Sequence, residues 1–137
     1  MGINPRLLVS ATKIKTKQLI QLVNERNGIL YPAHVDRKSY SLLRQIGFIP
    51  DDLKFPAVEI SPNTNKNEVI NQLPLLADYK FIQSSDAHFP ENIGTSYTMF
   101  YLKEPTIFEI KKALLEQEGR VSSQELMVKN SSSFNIS

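Results

Sequence analysis

Residues 81–90, FIQSSDAHFP, decide how the chain is read. Phe81 and Ile82 open an apolar run that turns polar through Gln83, Ser84 and Ser85, the pattern of a buried strand reaching its end. Asp86 and His88 follow at once. Residues two apart on an extended segment project to the same side, so a carboxylate and an imidazole face one space just beyond a strand. The chain has only two histidines, and one of them stands here.

The other, His34, occupies the same kind of place. It ends GILYPAHV (28–35), an apolar stretch that reads as a strand. Between the two lies AVEIS (57–61), a third short strand with Glu59 near its end. Helical signals alternate with these strands. Thr16 can cap a helix over residues 17–27 whose Leu19, Ile20 and Val23 share one face, with Gly28 as the stop. Ser39 can cap a second, with Leu42, Leu43 and Ile46 as its stripe and Gly47 as its end. A weak helix precedes Pro74. TSYTMFYL (95–102) is β-rich. Thr106 and Glu109 form a capping box before a helix over residues 107–118, which Gly119 ends. Alternation of this kind predicts an α/β fold, a mostly parallel sheet covered by helices. In such sheets functional groups collect where strands end, so His34, Glu59, Asp86 and His88 are expected on one rim.

Composition narrows the possibilities. The chain has 137 residues, 41% hydrophobic and 22% charged, as expected of one ordinary globular domain. It is short for a complete (β/α) barrel, which needs about 200 residues or more. Sixteen basic against 14 acidic residues, a net charge of +2, argue against a dedicated nucleic-acid surface. The absence of cysteine excludes disulfides, thiolate ligands and thiol nucleophiles. No apolar run reaches membrane-spanning length, and the first 15 residues lack the pattern of a signal peptide, so a cytoplasmic protein is expected. Residues 121–137 read as a polar, disordered tail after a domain covering 1–120.

The chemistry centres on His34, Asp86 and His88. Two imidazoles and a carboxylate suit a Zn, Mn or Fe ion with open positions, which lowers the pKa of bound water to about 7 and supplies hydroxide for hydrolysis. Asp36 could orient His34 or stand in solvent. Arg37 carries the planar donor fork that suits a phosphate, although with Lys38 it also reads as a solvated basic pair. Asp-x-His near a strand end is equally a turn motif, and a histidine after a strand can simply bond a carbonyl. No glycine-rich phosphate loop and no serine nucleophile elbow is present. The same ligand set suits non-haem iron chemistry, but nothing else in the chain points to an oxygenase.

GILYPAHVDRKSYSLLRQIGFIPDDLKFPAVEIS (28–61), with FIQSSDAHFPENIG (81–94) after it, resembles the PHP family, named for polymerase and histidinol phosphatase. It is most similar to a bacterial branch carrying AHVDR and SSDAH segments, and the resemblance extends over residues 7–118. It implies a distorted (β/α)7 barrel whose rim binds two or three divalent ions and hydrolyses phosphoesters. His34 then matches a late histidine ligand, and Asp86 and His88 match the closing Asp-x-His pair. The family's opening H-x-H motif has no counterpart here, so the chain corresponds to the C-terminal part of that domain. The expected function is metal-dependent hydrolysis of a phosphorylated small molecule, with no single catalytic residue assigned. The alternative is a non-catalytic PHP-derived remnant acting as a binding module. Either a homo-oligomer or an N-terminal half would complete the barrel wall.

Overall fold

A computed structural model describes residues 12–38, 41, 43, 47, 49, 50 and 52–123. Its centre is a parallel pair of strands, β1 (Val58–Ile60) and β2 (Phe81–Gln83), in the register Val58 to Phe81, Glu59 to Ile82 and Ile60 to Gln83. Parallel strands need a crossover. Here it is a short helix, Lys66–Gln72, followed by a 3-10 turn over Pro74–Leu76. The helix starts where the Asn65 side chain accepts the Asn67 N–H, satisfying one of the donors that every helix start leaves free.

Four further elements flank this unit among the described residues. Helix α1 (Thr16–Glu25) precedes it, and the crossover helix is α2. Strand β3 (Met99–Tyr101), helix α3 (Ile107–Leu114) and strand β4 (Val121–Ser123) follow, with β3 and β4 antiparallel. The architecture is therefore α/β with a small parallel sheet. The sheet is less parallel than expected, because β3 pairs with β4 and does not extend the β1–β2 ladder.

The stretch 28–35 departs from a regular strand for a visible reason. The Glu59 N–H donates to the Pro32 carbonyl at 2.9 Å, and the Val35 N–H donates to the Glu59 carbonyl at 2.8 Å. A regular parallel ladder would use the N–H of residue 34. The extra residue is His34, whose φ of 32° is left-handed. Pro32 offers no N–H and His34 bulges, so the segment follows the β1 edge without being a strand. On the other edge of β2, the Thr98 hydroxyl accepts the Gln83 N–H at 2.7 Å and donates to the Gln83 carbonyl at 3.0 Å. One side chain thus stands in for a strand partner and brings β3 alongside.

Several helix ends also differ from expectation. Thr16 lies inside α1, and Lys15 is its cap, with no side-chain bond. Leu19 is exposed, while Ile20 packs on the core. Asn27, not Gly28, takes the left-handed turn after α1, with φ 56°. Gly28 is needed for closeness instead: a Cβ there would meet Val23 Cγ1 at 2.8 Å. Helix α3 ends at Leu114, four residues early, and left-handed Glu116, Glu118 and Gly119 carry the chain into β4. The first three residues of the expected tail form β4; the rest of it lies outside the described residues. So do Ser39, Leu42 and Ile46 of the second expected helix. Leu43 is buried, and the Gly47 N–H donates to its carbonyl.

The sheet separates two packed regions. Val58, Ile60 and Phe81 face the larger one, with Val35, Val69 and Leu76. Ala57 and Ile82 face the smaller one, with Leu114 and the half-buried Ile29, Phe100 and Ile110. Strand alternation accordingly puts Glu59 on the smaller, more open side.

Candidate functional site

The carboxyl ends of the three parallel segments meet on one rim. The bulge at His34 ends the first, Ser61 follows β1, and Ser84 to His88 follow β2. The backbone is strained at two of these ends. His34 and Asp86, with φ 32° and 46°, occupy the left-handed region, where a non-glycine residue costs of order 1–3 kcal/mol and persists only if its surroundings hold it.

Arg37 joins the three ends. Its Nη2 donates to Asp86 Oδ2 at 2.5 Å and its Nε to Ser61 Oγ at 3.2 Å. Its backbone is also fixed: the N–H donates to the His34 carbonyl at 3.0 Å, and its own carbonyl accepts from Ser41 Oγ at 3.1 Å. The guanidinium holds the Asp86 carboxyl below the usual carboxylate range, against an upward push from burial, and the nearby His34 and His88 add a smaller downward pull.

The five residues singled out from the sequence take different places. His34 lies beneath the rim, with Nδ1 buried and without a hydrogen-bond partner. His88 is exposed, and its Nδ1 lies 2.8 Å from the Asp86 carbonyl oxygen. Asp36 turns to the loop after β1, where it accepts the Ser61 N–H at 2.8 Å and the Thr64 hydroxyl at 3.2 Å. Arg37 is not a solvated cation but the partner of Asp86. Among the described residues, no three His, Asp or Glu side chains form a group able to share one ion.

Other polar residues at the rim carry weaker sequence signals. Gln83 is buried and donates from Nε2 to the carbonyls of Ser61 and Thr64, at 2.7 and 3.2 Å. Ser84 Oγ donates to Glu59, and burial, helped by the negative charge of Glu59, raises the Tyr31 phenol above its ordinary pKa. The alternation in AVEIS was the available clue: with Val58 and Ile60 inward, Glu59 had to face the other side. There a cavity of about 530 Å³ is walled by Tyr31, Ile82, Phe100 and Ile110, with Ser84 and Ser85 in its polar lining.

No curated protein and no solved structure matches the chain. Residues 76–118 match the family model described as PHP-associated, so the chain carries a PHP-associated region that includes β2, the SSDAH segment, β3 and α3.

Proposed function

We propose that the chain is part of a PHP-type metal-dependent phosphoesterase, in which His34, Asp86 and His88 contribute metal ligands. The parallel sheet would then be one sector of a distorted (β/α)7 barrel. The observation that carries this reading is the meeting of two strand ends far apart in sequence: Arg37, whose N–H donates to the His34 carbonyl, holds Asp86 through its guanidinium. The buried, unpartnered Nδ1 of His34 and the left-handed backbone at His34 and Asp86 support it. The PHP-associated match includes Asp86 and His88; the role of His34 rests on its position alone.

The donors fit a divalent ion in kind, since imidazole and carboxylate suit Zn, Mn or Fe. They do not form a complete site, because Arg37 holds Asp86 and no group of three exists among the described residues. The reading therefore requires ligands from beyond these three, from a preceding half of the domain or a second copy. The ion would supply a water of lowered pKa for attack on phosphorus. His34 and Asp86 would offer their donors from fixed backbone, and His88 from the exposed end of the loop. The substrate would be a phosphorylated small molecule, met in the cytoplasm. Among the described residues no helix is long and apolar enough to cross a membrane.

A second reading is a non-catalytic PHP-derived binding module. The Arg37–Asp86 pair favours it, because a carboxylate already neutralised needs no ion. Hydrolysis of p-nitrophenyl phosphate with Mn²⁺ or Zn²⁺, measured on the full-length protein, separates the two. Turnover that His88→Ala abolishes is expected. Equal turnover by that variant overturns the ligand assignment, and a wild-type protein inert with every ion leaves the binding module as the better account.

A further inference from the structure

We propose that the 530 Å³ cavity on the Ile82 side of the sheet binds a ring-sized apolar molecule carrying one ammonium group. The ring lies against Ile82, Phe100 and Ile110, and the ammonium points toward Ser84 and Glu59. This site stands apart from the proposed ligand roles of His34, Asp86 and His88. Its walls set the size and character of the ligand. Ile82 comes from β2, Phe100 from β3, and Ile110 and Leu114 from α3. A volume of this size holds a molecule of one or two rings, and apolar walls with a few polar groups are the usual make-up of a small-molecule site. Tyr31, Ser84, Ser85 and Ser96 supply hydroxyls to the lining. The Ser84 hydroxyl is committed to Glu59, whereas those of Tyr31, Ser85 and Ser96 make no hydrogen bond within the described residues.

Charge selects the ligand. Among the described residues no Lys, Arg or His borders the cavity, so an anion there would meet no counter-charge. Glu59 stands at its edge. Strand alternation turns this side chain to the Ile82 side, and Ser84, which lines the cavity, donates to its Oε1. Asp86 on the same rim has Arg37 as its counter-charge. Glu59 has no salt bridge among the described residues, and its Oε2 accepts no hydrogen bond from them. This partly buried carboxylate lacks the partner that a charge withdrawn from water requires. An ammonium beside Ser84 would supply it. The negative charge already reaches the cavity wall, where it adds to the effect of burial on the Tyr31 phenol.

Three indole derivatives of similar size separate the charges: tryptamine is cationic at neutral pH, tryptophol neutral and indoleacetate anionic. Each is to be titrated into the full chain and followed by amide chemical shifts. Tryptamine should move Ile82, Phe100 and Ile110 with a dissociation constant of order millimolar, as expected of so small a ligand. It should bind about fivefold tighter than tryptophol, with indoleacetate the weakest. Glu59→Gln keeps an oxygen for Ser84 but removes the charge. In that variant tryptamine should fall to the affinity of tryptophol, and tryptophol should bind as it does to wild type. Equal affinity of wild type for all three, or a tryptamine preference that survives in Glu59→Gln, overturns the proposal. So does the absence of shifts at these residues with every probe, which would mean that a second copy or chain outside the described residues closes the cavity. Should Glu59→Gln fail to fold, the wild type supplies the readout through nuclear Overhauser contacts. The tryptamine methylenes should lie near Tyr31 and Ser84 and its ring near Ile82 and Ile110. The reverse orientation overturns the proposal.

Discussion

Asp36 and Arg37 are adjacent in sequence but bind different partners, and this division organises the rim. Asp36 accepts from the Ser61 N–H and the Thr64 hydroxyl, while Arg37 reaches past Ser61 to Asp86. The loop after β1 is held a third time by Gln83, through the Ser61 and Thr64 carbonyls. Every one of these contacts joins residues distant in sequence, so no local pattern could have announced them. Asp36→Ala would leave the half-buried Ser61 N–H without its acceptor. A donor stranded in this way costs about 1–3 kcal/mol, and urea unfolding should show a loss of that size. Asp36→Asn keeps a carbonyl oxygen for Ser61 and should recover most of it. If both variants unfold at the wild-type midpoint, the loop is held by Gln83 and Arg37 alone.

Among the elements, β4 depends most visibly on charge. Glu109, buried on α3, accepts from Arg120 Nε at 2.7 Å, just before β4, and from the Lys103 N–H at 3.1 Å, just after β3. The Arg120 bond first, then the Lys103 bond, lower its pKa from an ordinary 4.5 to about 2. A depressed carboxylate pKa stabilises the fold fully above the ordinary value and loses that contribution as pH falls through the folded one. Protection of the Val121–Ser123 amides, taken relative to the intrinsic exchange rate at each pH, should therefore be full above pH 4.5 and fall as the pH drops toward about 2. Glu109→Gln should exchange roughly tenfold faster at neutral pH and lack the acid step. An acid step that persists in this variant would assign it to another carboxylate. The N-cap of α3 was legible, since Thr106 does accept the Glu109 N–H. The anchoring of β4 was not: the Glu109 side chain, read as half of a capping box, reaches to Lys103 and Arg120 instead. Likewise β1 and β2 were legible from short apolar runs between turn residues. The segment 28–35 was misread as a strand because Pro32 and a left-handed His34 break its regularity, and alternation carries no sign of backbone angle.

At the scale of the whole molecule, the two sides of the parallel sheet are finished to different degrees. The Phe81 side is closed by α2, the 3-10 turn and Val35, and Leu76 at its centre is fully buried. The Ile82 side is covered by α3 only in part and keeps the 530 Å³ cavity. Exposed Ile107 and Phe108 lie on α3, and exposed Ile93 and Phe89 lie on the loop after β2. The rim that carries Asp86 thus sits between a packed half and an open half. Packing makes the difference measurable. Truncating a buried leucine in a closed core removes its transfer energy and adds the energy of the cavity left behind, about 2–5 kcal/mol in all. Leu76→Ala should fall in that range. Ile110 is only half-buried and already borders empty space, so truncation there opens little new cavity, and Ile110→Ala should cost under about 2 kcal/mol. Urea unfolding of the two variants decides the point. Equal losses would mean that the Ile82 side is closed in solution, by a second copy or by chain outside the described residues. Light scattering on the same samples separates those two, because only association with a second copy changes with protein concentration.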